Sequence, residues 1–258
     1  MTRSQLGCNM KQINIFDINL HPFRRSEFIS LIRHKLKEGE QMAQFGVNSA
    51  TVNEIAGNEE YRRAINNADL LNIDGMSVVW ALRCLGYKVP ERVATPDLAD
   101  DVLTMAEKEG FSVFLLGAKE AILLKCIANL MARMPSIIIA GHQHGYYDQG
   151  EDSYIIEKIN EARPDILLIG MSSPKKELMC EKYRSELNAK YILGVGGYFD
   201  ILAGYTRRAP KWMQNIGMEW FFRFIQEPRR MWRRYLLGIF KFMWLVLKER
   251  SSKTVIDD

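Results

Sequence analysis

The sequence predicts an open, doubly wound α/β fold: a Rossmann-like, mostly parallel sheet with helices on both faces. Three observations predict it. Short β-rich runs alternate with longer helical patterns from about residue 13 to 195. Several runs are apolar almost throughout, as strands buried on both faces of a parallel sheet are. Four of them break into glycines and polar residues, as strand ends that carry ligand loops do.

In chain order, strands are expected at 13–18 (INIFDI), 42–47 (MAQFGV), 69–73 (DLLNI), 112–117 (SVFLLG), 136–141 (SIIIAG), 165–170 (DILLIG) and 191–195 (YILGV). Helices are expected between them, at roughly 25–38, 58–67, 76–86, 97–109, 119–133, 152–162 and 174–188. The first is justified by Phe28, Leu31, Ile32 and Leu36, which fall on one helical stripe. Asp74-Gly75 and Pro96-Asp97 mark the starts of the third and fourth. Beyond residue 205 the pattern turns basic, aromatic and helical, and Trp212 to Leu247 holds all but one of the five tryptophans. Two units are expected: a Rossmann-like domain over 1–204 and a helical appendage over 205–258.

Composition bounds the class. At 258 residues, 47% apolar and 26% charged, the chain has the balance of an ordinary globular protein. Cys8, Cys84, Cys126 and Cys180 are scattered, with no metal-ligand spacing and no disulfide framework, which suits a reducing cytoplasm. No apolar run with a small-residue cleavage site opens the chain, so no secretory signal is expected. The net charge of +4 is unevenly spread. Residues 205–250 carry eleven Lys and Arg against three Glu, a net +8, whereas residues 1–204 are mildly acidic. An anionic partner for the tail alone is implied.

The loops after the strands hold the candidate chemistry. Asp74, followed by the permissive Gly75, is placed to act as a general base or to cap the next helix. Thr51-Val52-Asn53 suits hydrogen bonding to sugar hydroxyls, or capping of a following helix that begins at Asn53-Glu54. Arg92 offers a fork for a phosphate, or a surface pair with Glu91 or Asp97. Gly194-Val195-Gly196-Gly197 allows close backbone approach to a ligand. It is not the dinucleotide fingerprint, because Phe199 stands at the sixth position, and no Walker A motif occurs. His142 and His144 have a spacing open to a metal, but read more simply as loop side chains, and no metal is expected.

The tail segment Glu227 to Leu247 is basic first and apolar afterwards, the apolar run being about 13 residues long and containing Lys241. That falls short of the ~20 residues a bilayer span requires. It fits a helix lying in the membrane interface, or one packed on the body or on a partner. Nucleic acid is disfavoured, because no DNA-binding motif accompanies the charge.

Taken in order, the segments resemble the WecG/TagA/CpsF family of bacterial glycosyltransferases, glycosyltransferase family 26. They are Thr51-Val52-Asn53, Asp74-Gly75, Glu91-Arg92-Val93 with Asp97-Leu98, and Phe114 to Gly117. Then come Gly145-Tyr146-Tyr147, Pro174-Lys175-Lys176-Glu177, Gly194 to Asp200, Arg208-Ala209-Pro210, Gly217-Met218-Glu219-Trp220 and Glu227-Pro228-Arg229 with Arg234-Tyr235. Each is weak alone; the ordered set is specific and spans about residues 13–235.

The resemblance implies inverting, metal-independent transfer from a UDP-sugar to an undecaprenyl-diphosphate-linked saccharide, in the making of surface polysaccharide. It places the base at Asp74 and an important arginine at Arg92. It makes Thr51, Asn53, Lys176, Glu177, Gly117, Gly196, Gly197 and Asp200 substrate-binding candidates. Arg229, Arg230, Arg233 and Arg234 would face the lipid diphosphate or the membrane. The partners it implies are the UDP-sugar, the polyprenyl-linked saccharide and an anionic membrane surface on the cytoplasmic side; self-association is left open.

Three positions depart from the family pattern: Lys176 stands where glutamine is usual, Met171-Ser172-Ser173 lacks a usual glycine, and Thr95 replaces another. They are expected to line the pocket, with Lys176 a cation for a uronate carboxylate or a diphosphate. A non-catalytic adaptor for nucleotide-sugars or polyprenyl lipids is the main rival reading. A nucleotide-sugar epimerase or dehydrogenase is weaker, for want of the dinucleotide fingerprint.

Overall fold

The computed structural model describes residues 11–226, 228, 232 and 238–254. The chain enters through a hairpin: β1 (Ile13–Ile15) pairs antiparallel with β2 (Ile18–Leu20). This corrects the single strand expected at 13–18. Phe16 and Asp17 both take positive φ, 54° and 59°, and two such residues match the twist of a two-residue hairpin turn. Ile13, Ile15, Ile18 and Leu20 are buried while Asn14 and Asn19 are exposed, so the segment is buried on one face only. It lies beside the main sheet, joined by a bridge from His21 to Asn72.

The main sheet has six parallel strands: β3 (Met42–Val47), β4 (Leu70–Ile73), β5 (Ser112–Gly117), β6 (Ile138–Gln143), β7 (Ile166–Gly170) and β8 (Tyr191–Gly194). Their order is β4-β3-β8-β7-β5-β6. Side chains alternate between two cores. Phe45, Val47, Leu71, Phe114 and Ile169 face one side, whereas Leu70, Val113, Leu115, Leu168 and Leu193 face the other. The first face is covered by α2 (Ser49–Ile55), α3 (Glu59–Asn66), α4 (Met76–Cys84), α7 (Asp152–Ala162) and α8 (Lys175–Tyr183). The second is covered by α1 (Arg25–Glu38), α5 (Thr95–Glu109), α6 (Glu120–Arg133) and α9 (Tyr198–Leu202). Burial on both faces explains the unbroken apolar runs.

Several boundaries move. The helix expected from 97 begins at Thr95, with Pro96 in its first turn. The helix expected over 174–188 stops at Tyr183, and the strand expected over 136–141 shifts to Ile138–Gln143. Helix α2 is an addition. Asn48 caps it, its side-chain oxygen accepting from the Ala50 and Thr51 N–H groups. Thr51 and Asn53 therefore lie within a helix that starts before the first turn expected at Asn53-Glu54, and its cap is Asn48.

After α9 come α10 (Lys211–Asn215), α11 (Glu219–Gln226) and α12 (Gly238–Thr254). One face of α12 packs on the body: Phe242 is 5% exposed, and its ring lies 6.0 Å from that of Phe16. Asn53 Nδ2 donates to the Gly238 carbonyl (2.7 Å), Lys241 Nζ to the Asn53 carbonyl (2.6 Å), and the Phe16 N–H to Glu249 (3.1 Å). The opposite face presents Phe240, Met243, Trp244 and Leu247 to solvent. Among the described residues no helix is long and apolar enough to cross a membrane.

Candidate active site

The carboxyl ends of β4, β3, β8, β7 and β5 form one rim, as open parallel sheets place ligands. Asp74 stands at the end of β4. Its N–H donates to the Val47 carbonyl of β3 (2.9 Å), and its Oδ1 accepts from the Thr95 N–H at the start of α5 (2.9 Å). The N-cap of α4 is Gly75, which leaves Asp74 free of that role. Asp74 is half-buried, and its Oδ2 has no protein partner among the described residues. One oxygen is thus anchored and the other turned free, the arrangement a general base requires.

Arg92 lies beside it. Its Nε donates to the Asp74 carbonyl oxygen (2.5 Å), and its Nη2 to Glu219 Oε2 of α11 (2.6 Å). The other Glu219 oxygen accepts from Arg208 Nε (3.2 Å), and Arg208 pairs in turn with Asp97 of α5. Burial pushes the Glu219 carboxyl up, but the two guanidiniums outweigh it and hold the group below its ordinary range. Burial works against the Arg208 charge as well, yet Asp97 and Glu219 raise its pKa overall. Asp74, Arg92, Glu219, Arg208 and Asp97 therefore form one chain of contacts that clamps α11 to the rim.

Across the rim, residues from α2, α3 and α8 meet. Lys176 and Glu177 are almost fully buried, 7% and 1% exposed, and pair with each other. Glu177 Oε1 also accepts from Ser173 Oγ (2.8 Å) and Tyr61 OH (3.3 Å). Burial and then the Glu177 charge raise the pKa of the Tyr61 hydroxyl, which also meets the hydroxyls of Ser173 and Thr51. Lys176 donates to Ser173 as well, and its chain runs beneath Gly194, where a Cβ would lie 3.0 Å from Lys176 Cε. Thr51, Lys176 and Glu177 thus come together as a buried floor. Asn53 does not join them; its side chain ties down α12 instead.

The glycines have separate uses. Gly117, at φ 135°, lies against Gly170, and a Cβ there would overlap the Gly170 backbone. Gly196, at φ 54°, has nothing within 4 Å of its Cβ position and opens to the rim. The Cβ position of Gly197 lies 3.7 Å from Asp200 Oδ2 and 3.8 Å from Arg223 Nη2, so α11 reaches over this loop. Arg229, Arg230, Arg233 and Arg234 lie outside the described residues. Among the described residues no cluster of His, Cys, Asp and Glu has the makings of a metal site. A surface hollow of about 610 Å³, lined by Phe23, Arg83, Tyr87 and Pro90, shares none of the rim's residues. Chemistry, not depth, therefore locates the site.

Comparison with known sequences decides the family. The model of the "Glycosyl transferase WecG/TagA/CpsF family" matches residues 13–255. The chain belongs to this family of glycosyltransferases. It is also 31% identical over 215 residues to a protein of Bacillus subtilis (strain 168), covering 81% of this chain and 82% of that one. That relative is named N-acetylglucosaminyldiphosphoundecaprenol N-acetyl-beta-D-mannosaminyltransferase.

For this glycosyltransferase the structure adds rim residues that the sequence left without a role. Glu219 and Arg208 lie within the motifs shared with the family, so their presence was legible but their partnership was not. Tyr61 carried no signal beyond an apolar position on a helix. Thr95, expected to line the pocket, is 6% exposed and turns its N–H to Asp74.

Proposed function

We propose that this glycosyltransferase moves a sugar from a UDP-sugar to an undecaprenyl-diphosphate-linked saccharide at a membrane surface, with inversion and without a metal. The observation that carries the reading is the half-tethered Asp74 carboxylate, on a residue whose main-chain carbonyl is held by the Arg92 guanidinium. Asp74 Oδ2 takes the proton from the acceptor hydroxyl. The oxygen forms its bond to the anomeric carbon from the face opposite the leaving group. The bond from that carbon to the diphosphate breaks, and UDP departs with the electron pair. Arg92, Arg223 and the tail arginines Arg229, Arg230, Arg233 and Arg234 supply the positive charge that offsets the leaving diphosphate.

The B. subtilis relative supports the acceptor class, since its name specifies a diphosphoundecaprenol-linked sugar. The membrane surface is supported by the apolar side chains that α10 to α12 expose, with Trp212 62%, Ile225 60%, Phe240 71% and Trp244 61% exposed. Exposed apolar groups with flanking cations suit an interfacial helix. On the donor, Lys176 is already engaged by Glu177 and Ser173. An uncharged N-acetylhexosamine is therefore a better fit than a uronic acid.

Asp74→Asn tests the base. Release of UDP should fall by roughly 10²–10⁴-fold while UDP still binds, the range such bases contribute. Turnover near that of the wild type would remove Asp74 from the mechanism.

A further inference from the structure

Beneath Asp74 runs a buried line of polar side chains in an otherwise apolar core. Tyr191 OH donates to Gln44 Oε1 (2.8 Å), and Gln44 Nε2 donates to Asn72 Oδ1 (3.1 Å). Asn72 Nδ2 then donates to the Val93 carbonyl (2.8 Å) and to Thr95 Oγ1 (3.3 Å). Tyr191, Gln44 and Asn72 are each 0% exposed, and Thr95 is 6% exposed. The line crosses three adjacent strands, β8, β3 and β4, and ends on the Val93–Thr95 segment, whose N–H at Thr95 grips Asp74 Oδ1.

Burying three such side chains gives no advantage that apolar residues of the same size would not. What a fully bonded network does give is a single geometry. Here that geometry is the height and angle of the Val93–Thr95 segment, set by two bonds from one amide. The backbone leaves room for it. A Cβ at Gly46 would overlap Thr95 Oγ1 and lie 3.1 Å from Asp74 Cβ, so glycine lets the threonine hydroxyl and the Asp74 side chain sit over β3.

We propose that Asn72 and Thr95 are positioning residues for Asp74, and that the Tyr191–Gln44–Asn72 line sets the direction in which Asp74 Oδ2 points at the acceptor hydroxyl. This rests on the reading of Asp74 as the base. Thr95, where the family usually has a glycine, gives this chain a side-chain link between the amide line and the start of α5.

The test is kinetic, with UDP release measured for Asn72→Leu, Thr95→Val and Tyr191→Phe, each also combined with Asp74→Asn. Asn72→Leu should lower kcat by about 10–100-fold, part of the 10²–10⁴ a base supplies, with donor KM within about twofold. Thr95→Val keeps the backbone N–H and loses only the link to Asn72, so its loss should be smaller and again confined to kcat. On the Asp74→Asn background, none of the three should lower the residual rate further, since groups that act as one unit are not additive.

Wild-type kcat in a folded Asn72→Leu or Thr95→Val protein, with Asp74→Asn inactive, would overturn the positioning role and leave the base standing. Equal losses with and without Asp74 would also overturn it. An active Asp74→Asn enzyme would overturn the base first, and this proposal with it. Should Asn72→Leu fail to fold, Thr95→Val and Tyr191→Phe decide the matter, because the first only exchanges a hydroxyl for a methyl and the second only removes a hydroxyl.

Discussion

Glu219 is the residue on which the clamp between α11 and the rim turns, and Glu219→Gln isolates its charge. The carboxylate takes one bond from Arg92 at 2.6 Å and one from Arg208 at 3.2 Å. The three side chains are 14%, 18% and 16% exposed, so the cluster sits nearer the buried limit than the surface one. Surface pairs contribute about 0–1 kcal/mol, whereas removing one partner of a buried pair costs about 3–5 kcal/mol. A glutamine keeps an acceptor for one guanidinium and turns an N–H₂ group toward the other, which places the expected loss at about 3 kcal/mol. For a chain of this length that lowers Tm by roughly 6–12 °C.

The acid side of the stability curve should change as well. The folded pKa of Glu219 lies below its ordinary value of 4.5, so its contribution is present above 4.5 and is lost as pH falls through the folded value. Glu219→Gln should flatten that limb. Turnover should fall about tenfold or more, because Arg92 also holds the Asp74 carbonyl. Thermal melts across pH and a UDP-release assay are the measurements. A Tm within about 2 °C of the wild type, together with unchanged turnover, would refute the coupling of α11 to Asp74.

Other consequences are as specific. Burial lowers the His21 pKa to about 4 from 6.5, and its ring Nδ1 accepts a bond from the Leu71 N–H, which only an unprotonated nitrogen can do. The unfolded chain then binds more protons between those values, so stability is full above about pH 6.5 and falls by up to about 3 kcal/mol toward pH 4. Urea midpoints should show this slope in the wild type and lose it in His21→Gln; equal slopes would exclude His21. Phe242→Ala should cost about 3–5 kcal/mol of α12 docking and speed amide exchange across 238–254, and unchanged exchange would mean that α12 is held by other contacts. Lys176→Met should destabilise the fold by about 3–5 kcal/mol by leaving Glu177 buried without its cation. Adding Glu177→Gln should restore most of that loss in urea melts, and simple additivity of the two changes would refute the pairing.

What the sequence determined by itself was the kind of fold and the rim. Apolar runs of strand length mark strands covered on both faces, and the breaks at Asp74-Gly75 and Gly196-Gly197 mark where such strands end. These are local properties of burial and backbone freedom, and each was legible at its own position. The ordered motifs also fixed the family. The Phe16-Asp17 turn and helix α2 were harder to read, because an apolar segment of that length serves as strand, hairpin arm or helix until its neighbours choose.

Only the tertiary structure decided partnership. Arg92 was open in the sequence to a phosphate or to a surface pair with Glu91 or Asp97; the fold gave it Glu219, 127 residues away. Lys176 looked like a free cation until its helix buried it against Glu177. Thr95 turned from pocket lining into a support for Asp74 because β8, β3 and β4 lie side by side and carry Tyr191, Gln44 and Asn72 to one level. Charge and hydrogen-bonding capacity are written in the residue, but which partner satisfies them depends on distances that exist only once the sheet has assembled.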